Sequence, residues 1–367
     1  MSSVPRISVL IPTFNSEKNI EQCIRSVLSQ TYPDYEVVIV DDSSRDRTRD
    51  IINSFTDSRI RILNGPNDGL AEALNFGIRE CKGEYIARLD SDDFSETTRF
   101  QKQIDYLDSH PNVAVCGTWQ RHFGKDNYIH KPASDPEQCK ANLLYTCDLC
   151  HSTLMIRRQF LIDNNLFYSK DHPAEDFELW TRVLDYADIA NIPEILGSYR
   201  HEDNITTQKK DRLIFDQMEI VAASLKNKLG IELSNSEKRY FVGCINPFFE
   251  ESVFPDIFTD KDYHYELLKN VIRKISSTNE EVCYYDQHAL INTLGAVWRL
   301  LRYKISFYVI DMDSNDIESI FNVGLISLFR IRVKQFNYCN HGFFNKCRKL
   351  IRFGIRKITF NRFPRDC

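Results

Sequence analysis

Residues 85–93 read Tyr85-Ile86-Ala87-Arg88-Leu89-Asp90-Ser91-Asp92-Asp93, a mostly apolar run closed by three carboxylates. Such a run makes a strand that delivers its acidic residues to its own carboxyl end. Carboxylates gathered there call for a cation, and hard oxygen donors suit Mg²⁺ or Mn²⁺, which in turn suit a diphosphate. By itself the same segment also fits a solvated acidic turn, so its meaning rests on what the rest of the chain places beside it.

Working outward, the first third alternates strand and helix. Ile7 to Ile11 is a continuous apolar strand; Ile20, Ile24, Val27 and Leu28 recur at helical spacing; Val37-Val38-Ile39-Val40 is a second buried strand. A helix over Arg47 to Phe55, a strand over Ile60 to Leu63, a helix over Leu70 to Cys81 and a fourth strand over Tyr85 to Leu89 complete the rhythm. Continuous rather than alternating apolar strands predict an α/β fold, a mostly parallel sheet with helices on both faces. Ligands of such sheets bind beyond the carboxyl ends of the strands. Three polar clusters fall on that edge: Pro12-Thr13-Phe14-Asn15, Asp41-Asp42-Ser43-Ser44-Arg45-Asp46 and Asp90-Ser91-Asp92-Asp93. The chain has no Gly-x-Gly-x-x-Gly or Gly-x-x-x-x-Gly-Lys loop, so a diphosphate is expected to be held by metal.

Bulk properties agree with a globular enzyme. The 367 residues are 42% hydrophobic and 27% charged, with 13 Gly, enough for one large domain and an appendage or for two domains. The start of the chain lacks the basic and long apolar regions of a cleavable signal, which points to the cytosol. The greasiest stretch, Leu290 to Ile310, is broken by Arg299, Arg302 and Lys304, so no spanning helix is expected. Eleven scattered cysteines fit reduced thiols. Cys147-Asp148-Leu149-Cys150-His151 has the spacing of a haem attachment site, but reads better as a loop leading into a strand over Thr153 to Ile156.

The ordered set of motifs resembles the inverting glycosyltransferases of family 2, with the GT-A fold, over roughly residues 5–205. Its elements are Ser8-Val9-Leu10-Ile11-Pro12-Thr13-Phe14-Asn15, Ser26 to Tyr32, Glu36 to Ser44, Gly83 to Asp93, and Glu175-Asp176 ahead of Leu179-Trp180. The resemblance implies that Pro12, Thr13, Asn15, Asp41, Asp42 and Asp90 hold the nucleotide of a UDP-sugar donor. It implies Mn²⁺ or Mg²⁺ on Asp92, with Asp90 in support. Asp176 would be the base that takes a proton from the acceptor hydroxyl, with Glu175 as fallback; Asp176 also fits the N-cap of a helix running to Leu184. Asp41 and Asp42 likewise fit helix capping near Asp46. His151, Trp180, Arg200 and His201 would line the acceptor or close on the diphosphate, although His201 directly follows Arg200 where the family commonly has one residue between. The polar run Glu202 to Lys210 would be a lid.

Three segments are expected: a GT-A domain over 1–210, a helical region of unknown duty over 211–330, and a basic amphipathic tail over 331–367. From Arg330 onward eleven Lys or Arg face Asp366 alone, whereas the whole chain is at −5. Cys347, Leu350, Ile351, Gly354, Ile355 and Ile358 form one stripe among those charges, which fits an anionic membrane surface or packing on the protein, and not nucleic acid. The expected function is metal-dependent transfer of a sugar from a UDP-sugar to a glycan or lipid-linked glycan on the cytoplasmic side of a membrane. A nucleotide-diphosphate hydrolase and an inactive UDP-binding scaffold are the alternatives.

Overall fold

The structure is a computed structural model that describes residues 4–201, 210–243 and 261–306. Its first half alternates β1 (Ile7–Thr13), α1 (Ile20–Leu28), β2 (Tyr35–Asp41), α2 (Thr48–Asn53), β3 (Ile60–Asn64), α3 (Leu70–Glu80) and β4 (Tyr85–Arg88). There follow β5 (Phe94–Ser95), α4 (Arg99–Ser109), β6 (Val113–Gly124), β7 (Tyr128–His130), α5 (Pro136–Asn142), β8 (Met155–Arg157), α6 (Arg158–Asp163), α7 (Glu175–Val183) and β9 (Asp188–His201). The helical remainder is α8 (Lys210–Leu229), α9 (Asn235–Lys238), α10 (Lys261–Val282) and α11 (Gln287–Ser306).

One sheet runs β3-β2-β1-β4-β8-β6-β9-β5, with β7 on β6. The β3-β2-β1-β4 block is parallel, β8 enters antiparallel between β4 and β6, and β6 with β9 is parallel again. Apolar residues run on without alternation because both faces are covered. Val9 and Ile11 pack with Ile24 of α1 and Phe100 of α4, whereas Leu10 packs with Leu74 of α3 on the other face. The α/β fold is therefore as expected. Strand order reverses at β1, which leaves a crevice between the carboxyl ends of β1 and β4.

Two local expectations change. Instead of a strand over Thr153 to Ile156, a 3-10 turn covers His151–Thr153 and the strand is Met155–Arg157. The cause is local, since both the main-chain N–H and the hydroxyl of Thr153 donate to the Cys150 carbonyl. The helix expected from Asp176 has Ala174 at its N-cap, with no side-chain capping bond from that residue; Asp176 is therefore not its cap.

The helical region packs on the sheet domain through one continuous core. Ile214, Met218 and Leu225 of α8, and Leu290 and Leu294 of α11, join Phe177, Trp180 and Val183 of α7 in it. Among the described residues no helix is long and apolar enough to cross a membrane. Of the expected lid, residues 202–209 lie outside the described residues and Lys210 opens α8. The basic tail, 331–367, also lies outside them.

Candidate active site at the carboxyl edge of the sheet

The first wall of the crevice is built by the loops after β1 and β2. Asn15, Ser43 and Asn67 have φ of 49°, 68° and 60°, left-handed turns that small polar residues tolerate. The loops are tied together: Asn15 N–H donates to Ser44 Oγ (3.0 Å), Arg45 N–H to Asn15 Oδ1 (2.8 Å), and Ser16 Oγ lies 2.8 Å from Ser91 Oγ beyond β4. Asp42 is 7% exposed, and its oxygens accept from the N–H groups of Asn67 (2.6 Å) and Gly69 (3.0 Å). Asp41 accepts from Ser44 N–H at 3.1 Å and pairs with Arg49. Neither carboxylate caps α2; Asp46 accepts from the first helical N–H, that of Thr48. Gly65 is needed in this loop, because a Cβ there would stand 2.7 Å from Asp42 Oδ1. Pro12 is buried. The buried hydroxyl of Thr13 has no hydrogen-bond partner, and such orphans call for an explanation. Beside it Phe14 is 52% exposed.

The second wall is the acidic strand end. Arg88, 1% exposed, donates Nη1 to Asp90 Oδ2. Ser152 Oγ accepts from Asp90 N–H at 3.0 Å. Behind them the fully buried Arg99 donates to the carbonyls of Arg88, Ser152 and Leu154, which holds the chain where it leaves β4. Burial and then the Asp90 charge push the Asp92 carboxyl up to about 6. Burial, Asp90 and Asp92 hold that of Asp93 well above the carboxylate range. Arg200 closes this wall: its N–H donates to Asp93 Oδ1 (2.9 Å), its Nε to the Asp92 carbonyl (3.2 Å) and its Nη2 to Gln22 (3.1 Å). Its guanidinium lies 5.2 Å from the Phe94 ring centroid and 4.9 Å from that of Phe123.

These donors fit a hard divalent cation. They are oxygens only, and the crowding of like charge on Asp92 is what a cation would relieve. Among the described residues no three His, Cys, Asp or Glu side chains form a metal cage.

The third group stands at the start of α7. Asp176 Oδ1 accepts from Phe177 N–H at 2.7 Å, and its Oδ2 is 4.0 Å from the Cys147 sulfur. Burial and then Asp176 push the Glu175 carboxyl up to about 8. Burial raises Asp176 too, opposed by the Phe177 N–H and by the Arg88 charge. Of the two, Glu175 is the one held toward its protonated form and Asp176 the one better supported as an anion. The charges of Asp90 and Arg88 are felt by both residues, so the β4 end and the α7 start lie within electrostatic reach of one another.

His151 Nε2 is 2.9 Å from Tyr168 OH, and burial, with Arg88, keeps its ring neutral. Trp180 is 0% exposed and meets the rings of His151 and Tyr168. It supports the wall from behind instead of facing the crevice. His201 lies away from Arg200's partners, with Nδ1 3.1 Å from Asp126 and its ring near those of His122 and Tyr199; successive strand residues point to opposite faces. The sequence reading assigned no role to Arg88 or Phe14. Each had a signal: a charge inside a strand covered on both faces, and an aromatic at a strand end.

A mostly parallel sheet reversing at β1, with Thr13 and Asn15 beyond β1 and carboxylates beyond β2 and β4, fits the GT-A class of sugar-transferring enzymes. Residues 8–168 match the family model "Glycosyl transferase family 2". The Escherichia coli protein WfaP, a UDP-Glc:alpha-D-GlcNAc-diphosphoundecaprenol beta-1,3-glucosyltransferase, is 32% identical over 213 residues, which cover 57% of this chain and 82% of WfaP. The chain belongs to glycosyltransferase family 2, and it is a glycosyltransferase. Two solved structures share the fold. Staphylococcus aureus TarS 1–349 in complex with UDP-GlcNAc is 17% identical, with a TM-score of 0.55, covering 84% of this chain and 95% of that one. The Pyrobaculum calidifontis mannosyltransferase PcManGT, in complex with GDP-Man and Mn²⁺, is 16% identical, with a TM-score of 0.50, covering 83% and 88%.

Proposed function

We propose that the enzyme transfers a hexose or N-acetylhexosamine from a UDP-sugar, with inversion, to a glycan or lipid-linked glycan acceptor, using Mn²⁺ or Mg²⁺. The observation that carries this reading is the division of carboxylates between the end of β4, with Asp90 and Asp92, and the start of α7, with Glu175 and Asp176, near enough for the Asp90 charge to act on both of the latter. Thr13, Asn15, Asp41 and Asp42 line the nucleoside end, beside Pro12. Each Asp42 oxygen accepts one main-chain N–H and keeps a lone pair for the ring N–H of uracil. The exposed Phe14 ring offers the base an apolar face.

Asp92, supported by Asp90, would hold the divalent ion, which supplies neutralisation of the charge on the departing diphosphate. Arg200 adds a fixed positive charge on the same side. Asp176 takes the proton from the acceptor hydroxyl. As that oxygen bonds to the anomeric carbon, the bond to the diphosphate breaks on the opposite face, so configuration inverts. His151, kept neutral, lines the acceptor side. WfaP's lipid-linked acceptor supports an acceptor of that kind, and the basic tail supports contact with the anionic cytoplasmic surface of a membrane.

Incubating the full-length protein with Mn²⁺, a panel of nucleotide sugars and glycan or lipid-linked acceptors tests the proposal. Acceptor-dependent UDP release is expected. Absence of UDP release together with absence of UDP binding by calorimetry overturns it, and acceptor-independent release identifies a hydrolase instead.

A further inference from the structure

The helix that carries Glu175 and Asp176 begins without a capping side chain of its own, because Ala174 occupies its N-cap. Asp216, in α8 and outside the sheet domain, fills the gap. Its Oδ2 accepts from Ala174 N–H at 2.8 Å, and its Oδ1 lies 2.8 Å from His172 Nδ1, where only an N–H donor satisfies a carboxylate. The Asp216 side chain is 11% exposed, so this is a shielded contact. The hydrophobic face of α8 holds Asp216 in place, since Ile214, Met218 and Val221 are in the core that also contains Phe177 and Trp180 of α7.

We propose that Asp216 is a positioning residue for sugar transfer, a cap supplied from the helical region that fixes where Asp176 stands relative to the acceptor. This rests on reading Asp176 as the base. A helix start loosens when an orphan N–H group loses its acceptor, the more so where water cannot replace it, and Asp176 stands in that first turn. A base displaced by about 1 Å loses on the order of a hundredfold in rate. The donor site, built on β1, β2 and β4, has no contact with Asp216 among those described here. The helical region therefore has a catalytic duty that no motif in it announces.

The test compares full-length Asp216→Ala, Asp216→Asn and Asp176→Asn for kcat, UDP affinity and melting temperature. Asp216→Ala is expected to lower kcat at least about tenfold with the Kd for UDP within twofold of wild type. Asp216→Asn keeps an acceptor oxygen for Ala174 and restores most of kcat. In an Asp176→Asn background, Asp216→Ala should cost little more, because both act through one group. A folded Asp216→Ala protein with wild-type kcat overturns the proposal, as does a parallel fall in kcat and UDP binding. If Asp176→Asn itself keeps wild-type kcat, it is the base assignment that fails. If Asp216→Ala does not fold, His172→Ala decides: lowered kcat with intact UDP binding supports the positioning role, and unchanged kcat overturns it.

Discussion

The main-chain N–H of Arg200 donates to Oδ1 of Asp93 at 2.9 Å, joining the end of β9 to the acidic strand end across 107 residues. Pairing of Phe94 with Ser198 makes this contact, and it sets the Arg200 guanidinium between two aromatic rings and against the Asp92 carbonyl. Arg200→Ala is expected to lower kcat/KM by about 10- to 100-fold. Arg200→Lys should recover little of that, since an ammonium on a flexible stem cannot both stack and donate in a fork. Steady-state UDP release measures both, and a Lys variant at wild-type rate would contradict this account.

Asp92 should show proton competition with metal. Its folded-state pKa is raised to about 6, and a cation binds the ionised form. Mn²⁺ affinity in the presence of UDP should therefore rise by up to about tenfold per pH unit below 6 and level off above it. Calorimetric titration across pH 5 to 8 reads this. Asp92→Ala should lose metal binding and turnover together.

The two carboxylates on α7 should separate by role. Asp176→Asn is expected to keep UDP binding and lose about 10²- to 10⁴-fold in kcat. Glu175→Gln imitates the proton that Glu175 carries below about 8, so it should stay active near pH 7. Wild type is expected to show a change of slope in its pH–rate profile near 8, and Glu175→Gln to lack it.

Gly65→Ala places a Cβ 2.7 Å from Oδ1 of Asp42 and 3.0 Å from its Cα. The Asp42 main chain or the loop must move, so weakened UDP binding and a loss of about 1–3 kcal/mol in stability are expected. Gly69→Ala, where φ is +88° and ψ −179° but the space is open, should cost about 1–3 kcal/mol from backbone strain alone, since that region is essentially glycine's own. Denaturant unfolding and UDP titration of the two variants separate packing from strain.

Acid should destabilise the β6–β7 hairpin. Burial lowers His122 to about 3 and His130 to about 4, and the shielded His122 nitrogens have no hydrogen-bond partner. The unfolded chain then binds more protons than the folded one between about pH 6.5 and 4, so these groups contribute stability above 6.5 that is lost as pH falls. The raised carboxyls of Asp92 and Glu175 act in the opposite sense, so a variant is needed to isolate the effect. His122→Phe, which keeps the stack on Tyr128, should show a smaller loss of urea-unfolding stability between pH 7 and 4.5 than wild type.

Legibility of the fold followed the range of the interactions that build each element. β1, β2 and α3 were readable because continuous apolar runs and a helical stripe are local patterns, and both faces of the sheet are covered as those runs imply. The turn at His151–Thr153 was not, because it is decided by bonds to the Cys150 carbonyl that compete with a strand-like composition. Trp180 shared a motif with Glu175 and Asp176 yet is fully buried against the rings of His151 and Tyr168, because α7 packs into the core that the helical region completes.

From its sequence alone, this protein was readable as an α/β enzyme of a sugar-transferring family with carboxylates at its strand ends, because strand periodicity and motif order lie along the chain. Only the tertiary structure decided that Arg88 is buried against Asp90, that Arg200 is locked to the main chain of Asp92, and that Asp216 caps the helix of Asp176. These contacts join residues brought together by the sheet order and by the packing of α8 on α7, and the energetics of a buried charge depend on the neighbours that folding supplies.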